Sequence, residues 1–314
     1  MSDIISMKRF LRLVMWIFIV MASHYGTELY EDSSYNPKVI KVYASEDMKS
    51  AFSTLVRETD DFFNYRVEMV SNKQADIYVE YGKESDKSYI KVAKSPFIVA
   101  YDDSRKTYKR FEKESTIVES KYNNDDKDFD FFKVIDTAVN EKDWSEIGFD
   151  EKPIILCPSK DSIYWQDFYK FMLVNVNGGK YPENDEQLEN AENVIESFYK
   201  APNVESVNDF EEKLKKIGEI SKKIFLILPE EKLLSMFSGK YEDVRIYYPT
   251  VTTDFNYYIK SGSEEGEKIL KKLNTNTEFF KRLLRDSYCR SENTSYIPEG
   301  WGSGYKPRDS YVTP

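Results

Sequence analysis

The sequence predicts an α/β protein built in two domains, on three observations. Short apolar runs of strand length alternate with segments whose apolar residues recur at helical spacing. The 314 residues suffice for two domains of ordinary size. The hydrophobic fraction of 40% supplies a core for each, and with 32% charged residues the composition is not that of a disordered chain.

The chain opens with an export layout. Lys8, Arg9 and Arg12 form a basic start, Leu13 to Met21 an apolar stretch, and Val20 and Ala22 fit the small-residue pattern before a cleavage point. The apolar run falls short of the ~20 residues of a membrane span. Residues 1–22 therefore read as a signal peptide, with an uncleaved anchor as the alternative. No cysteine lies near Ala22 to carry a lipid. Residues 23–37, with Gly26, Ser33, Ser34 and Pro37, read as a linker.

The α/β rhythm follows. Val39–Tyr43 is a strand, and 46–58 is a helix with Met48, Phe52, Leu55 and Val56 inward. Tyr65–Val70, Ala75–Val79 and Pro96–Ala100 are strands, and 103–151 is strongly charged. Pro153–Cys157 is a buried strand leading through Pro158-Ser159-Lys160-Asp161-Ser162 into an aromatic helix, Ile163–Val174. Asn177-Gly178-Gly179 is a turn. Residues 186–200 and 208–217 are amphipathic helices, the first burying Leu188, Ala191, Ile195 and Phe198, the second Phe210, Leu214 and Ile217. Ile224–Leu228 and Val244–Tyr248 are strands. The end is helical through Ile269, Leu270, Leu273 and then Phe279–Leu284, and 291–314 is a loose tail.

Composition excludes several functions. A net charge of −10 argues against nucleic acid, which needs a basic face, and against anionic lipid. The single histidine, His24, borders the export segment, so a Ser-His-Asp or Cys-His nucleophilic site has no base in the folded body. Cys157 and Cys289 form no CxxC pair, so a metal knuckle is excluded; Cys157 reads as a buried thiol, with a disulfide to Cys289 as the alternative. Asp126, Asp128 and Asp130 have calcium-loop spacing, but Phe131 stands where the glycine must turn and Thr137 where the bidentate glutamate must be. No metal or cofactor is expected. Gly300-Trp301-Gly302-Ser303-Gly304 follows no strand and opens no helix, and no carboxylate pair is singled out for acid–base work, so no catalytic residue is assigned.

Four segments carry a resemblance. They are Lys38–Ser45, Gln74–Val79, Ser95–Tyr101 and Arg245–Thr250. In order and local pattern they resemble the type II periplasmic solute-binding proteins, in particular those for molybdate and sulfate. The resemblance covers about residues 38–290. It implies two lobes, each a mixed sheet flanked by helices, joined by two hinge strands. Lobe 1 would hold 38–101 and 250–290, and lobe 2 would hold 102–249. It also implies a small-molecule or ion ligand held between the lobes, delivery to the membrane permease of an ABC importer, export to the cell surface or periplasm, and a monomer without catalytic activity.

Ligands of such sheets sit beyond the carboxyl ends of the strands. The expected ligand-binding residues are Ser45, Ser95, Ser159, Asp161, Ser162, Tyr164, Tyr248 and Thr250. Ser45, and Asp161 or Ser162, also suit plain helix capping, and Tyr164 and Trp165 suit a core. Tyr247 and Tyr248 are adjacent, as in related iron-binding proteins, but strand neighbours face opposite ways. Glu46 and Asp47 follow Ser45; they satisfy the positive helix end themselves and repel an anion, which argues against an oxyanion. Two alternatives stand beside a binding protein: an exported interaction protein that keeps the fold without a small ligand, and a secreted hydrolase using carboxylates.

Overall fold

The computed structural model describes residues 38–44, 65–71, 74–81, 86–102, 105–120, 127–217, 223–237 and 244–275. The expected signal peptide, linker, Ser45, helix 46–58, helix 279–284, Cys289 and C-terminal tail lie outside these.

The elements run β1 (Lys38–Ala44), β2 (Tyr65–Met69), β3 (Ile77–Tyr81), β4 (Ile90–Asp102), α1 (Arg105–Lys113), β5 (Ile117–Glu119), β6 (Lys127–Phe129) and α2 (Phe131–Val139). A 3₁₀ turn, Trp144–Ile147, leads to β7 (Ile154–Pro158), α3 (Trp165–Val176), α4 (Asp185–Lys200), β8 (Val204–Val207), α5 (Phe210–Ile217), β9 (Ile224–Pro229) and α6 (Glu230–Phe237). β10 (Val244–Tyr247), β11 (Asp254–Ser261) and α7 (Glu264–Thr275) complete the order.

Among the described residues nine strands form one mixed sheet, in the order β2-β1-β3-β11-β4-β9-β7-β8, with β10 also on β4; β5 and β6 pair separately. β4 is the member common to both halves. Up to Pro96 it pairs with β11, and from Phe97 it pairs with β9 and β10. The chain returns through 248–253, where the Phe97 N–H donates to Thr253 O at 3.0 Å. The sheet is thus two half-sheets joined by two crossing segments.

The period of two explains the layering of the second half-sheet. Phe97, Val99 and Tyr101 of β4 enter one apolar cluster together with Phe225 and Ile227 of β9, while Ile98, Ala100, Leu226 and Leu228 enter a second on the other face. All of β9 is buried, as expected of a strand covered on both faces. Tyr247 packs in the first cluster and Tyr248 in the second, so the adjacent tyrosines do face opposite ways. Helix α3 lies across the junction: Phe168 and Phe171 sit with ring centroids 5.7 and 5.6 Å from Phe97.

The charged stretch 103–151 holds more structure than its composition suggests. Helix α1 turns only Thr107 and Phe111 fully inward. Of the residues spaced like a calcium loop, Asp128 is buried in β6, Asp130 holds the N-cap position of α2 and Thr137 is buried in α2, while Asp126 lies outside the described residues. Helix α4 starts where Asn184 accepts the Gln187 N–H at 2.9 Å, and it buries Ala191, Ile195 and Phe198.

Cys157 is a free, buried thiol, and burial pushes its pKa up to about 12. Because this lies above the ordinary value of 9.0, the contribution is present below that pH and the fold loses stability as pH rises past it. We expect Cys157 to resist labelling by an aromatic disulfide at about pH 8 until denaturant unfolds the chain, as followed by absorbance. Truncating the junction ring, Phe97→Ala, should cost about 3–5 kcal/mol in urea denaturation.

Candidate functional site

The strand directions select the site. In the first half-sheet β1 and β3 are parallel, and both end at the junction; in the second, β7 and β9 are parallel and end there from the opposite side. The carboxyl ends of four strands therefore converge on one place.

On the first side stand Tyr43 and Tyr81, half-buried near the ends of β1 and β3. Burial raises the Tyr81 pKa, and neighbouring Tyr43 and Glu80 add to the effect. Between the sides lies Phe255 of β11, 5.7 Å from the Tyr81 ring and 4.9 Å from Tyr164 at the start of α3. Tyr81, Phe255 and Tyr164 thus make a row of rings across the junction. Trp165 follows, half-buried, 5.7 Å from Tyr169 and 5.6 Å from Tyr199, with the Lys160 ammonium 5.9 Å from its ring. The Tyr169 hydroxyl donates to Glu192 at 2.5 Å; burial and this bond push its pKa up to about 12.

The turn before α3 brings four expected residues together, and their polar groups satisfy one another. Ser159 Oγ donates to Asn208 Oδ1 and accepts the Asp161 N–H at 3.2 Å. Ser159 O accepts the Ser162 N–H at 3.0 Å. Ser162 Oγ accepts the Tyr164 N–H at 3.2 Å, and Ser162 O accepts the Trp165 N–H at 3.1 Å. A helix start binds an oxyanion through free N–H groups. Here the N–H groups of Asp161, Ser162, Tyr164 and Trp165 already have partners, and the Asp161 carboxylate is exposed beside them.

The other expected residues lie elsewhere. Ser95 is 1% exposed, and its Oγ accepts the Glu231 N–H at 2.9 Å, so it caps α6 from within the protein. Tyr248 is 3% exposed, and its hydroxyl donates to Glu230. Tyr257 donates to Glu231 at 3.4 Å. Ser95 and Tyr248 are thus parts of a buried network that ties both crossing segments to the first turn of α6. Thr250 lies on the returning segment, where its N–H donates to Phe129 O at 3.0 Å, and it borders a cavity of about 540 Å³ distinct from the row of rings.

Sequence reasoning did not find Tyr43, Tyr81 or Phe255. The signal for Phe255 was the alternation of Phe255, Tyr257 and Ile259 along β11, a strand that follows the last one read. Tyr43 and Tyr81 carried no signal beyond their place at strand ends.

No protein-family model matches the chain, and no curated protein matches it in sequence. Solved structures do match in shape. The sulfate-binding protein SubI from Mycobacterium tuberculosis superposes with a TM-score of 0.53 at 8% identity, over 82% of this chain and 88% of that one. A protein assigned as an extracellular solute-binding protein from Bordetella parapertussis gives 0.51 at 13% identity, over 83% and 88%. The chain has the two-lobed type II solute-binding fold. No helix among the described residues is long and apolar enough to cross a membrane.

The turn before α3 yields a stability test. Replacing Ser162 by alanine removes the acceptor of the Tyr164 N–H and should cost about 1 kcal/mol, read from the urea midpoint.

Proposed function

We propose that this chain is an exported solute-binding protein that captures a small organic ligand between its lobes and hands it to an ABC-type importer, acting as a monomer and without chemistry of its own. One observation carries the reading. The carboxyl ends of β1, β3, β7 and β9 converge on a junction crossed by two segments, which is where ligands of open α/β sheets bind. Tyr43 and Tyr81 would meet the ligand from one lobe, and Ser159, Asp161, Ser162, Tyr164 and Trp165 from the other. Ser45 would join them from the end of β1.

The chemistry of these groups favours a neutral or cationic solute over an oxyanion. The turn before α3 has its N–H groups engaged and an acidic residue exposed, and Glu46 and Asp47 add charge of the same sign after β1. Half-buried aromatic rings suit an apolar or cationic face. Sulfate is what SubI binds by its description; this chain's helix start is unsuited to it.

A second reading is favoured by the Tyr164–Phe255 contact at 4.9 Å, which lets side chains of the two lobes pack on each other where a ligand would sit. On that reading the chain keeps the fold as an exported interaction protein. A thermal-shift screen of the secreted protein separates the two. A sugar, amine or other neutral or cationic solute at about a hundred times its Kd should raise Tm by roughly 5 °C or more, and sulfate and molybdate should not. Silence across the whole screen would leave the second reading standing.

A further inference from the structure

We infer that the cavity beside the returning crossover is a second binding site, separate from the junction, and that it takes a small organic zwitterion with an apolar side chain, of the kind of an apolar amino acid or dipeptide. Its volume of about 540 Å³ falls within the range of small-molecule sites. Its walls come from the start of α2, the end of α3, and Thr250–Val251 of the crossing segment.

Three polar groups in the wall ask for a partner. Asp130 holds the N-cap position of α2, yet its carboxylate makes no capping hydrogen bond. Asn175 is only 8% exposed; its amide group donates to Phe171 O at 2.8 Å and to Val251 O at 3.2 Å, and its Oδ1 accepts no hydrogen bond among the described residues. Lys180 is exposed and enters no ion pair among the described residues. A carboxylate and an amide oxygen call for an ammonium donor, and Lys180 calls for a carboxylate. Neither charge alone satisfies both ends, and a zwitterion does.

The remaining wall is apolar. Phe131 and Val176 line it, and Phe132 lines it while 45% exposed, an unusual degree for a phenylalanine. The backbone opens the mouth: Gly178 and Gly179 adopt φ of 69° and 92° after α3, and a Cβ at Gly178 would meet nothing within 4 Å. At Gly179 the chain comes close to the crossing segment, where a Cβ would stand 3.2 Å from Val251 Cγ2. An occupant would therefore touch lobe 2 and the hinge together.

Isothermal titration of the full secreted chain with L-leucine, L-leucyl-L-leucine, isoamylamine and 4-methylpentanoate tests the site. Leucine or its dipeptide should bind, and the amine and the acid, each with one charge missing, should bind at least about tenfold more weakly. Asp130→Asn and Lys180→Met, both at partly or fully exposed positions, should each weaken the zwitterion about tenfold with the circular dichroism unchanged. Val251→Trp should fill the cavity and abolish binding. The inference fails if neither zwitterion binds, if the singly charged analogues bind as tightly, or if binding survives Asp130→Asn and Lys180→Met. Binding of any probe that persists in Val251→Trp is assigned to the junction and scored apart from the cavity.

Discussion

The structure depends on the continuity of β4. One strand of 13 residues supplies the inner edge of both half-sheets, and its alternation sets which side chains face which layer. A slip of one residue would send Phe97, Val99 and Tyr101 to the opposite face and bring Ile98 and Ala100 under α3. The aromatic set of α3, α2 and β9 is matched to the first arrangement: Phe131 stacks 5.1 Å from Phe171, and Phe225 closes the layer at 6.4 Å from Phe131. Pro96, which cannot donate to a ladder, sits at the point where β4 exchanges β11 for β9, and Phe97 resumes the bonding through Thr253.

The polar centre of the junction follows from the same geometry. Helix α6 begins directly at the end of β9, so its first turn lands beside both crossing segments. Glu230 and Glu231 are 1% and 3% exposed, a costly place for carboxylates without partners. The positive helix end, the Tyr248 hydroxyl and the Tyr257 hydroxyl supply stabilisation, and Ser95 accepts the N–H of Glu231. A serine before a proline at a strand crossover is thereby used to hold the frame, with its hydroxyl turned away from solvent.

Much of the fold was legible because buried strands and amphipathic helices write their periods plainly. β7, β9, α4 and α5 lie where their apolar spacing put them, within one or two residues. Helix α1 was not read, since a charged stretch dilutes a stripe as narrow as Thr107 and Phe111, and α2, which buries Phe131, Val134, Ile135, Thr137 and Ala138, was hidden by the charge of the residues around it. α6 was missed for a different reason: its first turn is Glu-Glu, which reads as surface and is in fact buried. Of the candidate site, only the turn that brings Ser159, Asp161, Ser162 and Tyr164 together was legible, where strand, turn and helix follow one another in sequence. Tyr81, Phe255 and Tyr164 meet from elements far apart in the chain, and no local pattern carries such a meeting. The crossing strand itself was legible: Lys94, Ser95 and Pro96 interrupt the apolar pattern of β4 just before Phe97, where its partner changes from β11 to β9.

Fold and ligand are separable here, and the turn before α3 shows where they part. A helix start offers an anion its N–H groups only while the preceding residues leave them open. In this chain Ser159 and Ser162 engage four N–H groups of the turn with their own oxygens, among them those of Tyr164 and Trp165 at the start of α3, which leaves fewer donors for an anion. The backbone frame that positions a helix at the junction is therefore retained, and on the proposed reading recognition would pass to side chains, chiefly the half-buried rings of Tyr43, Tyr81 and Trp165. Because a site is set by such local groups and not by the sheet beneath them, a shared shape with a sulfate-binding protein at 8% identity carries the fold and not the choice of solute.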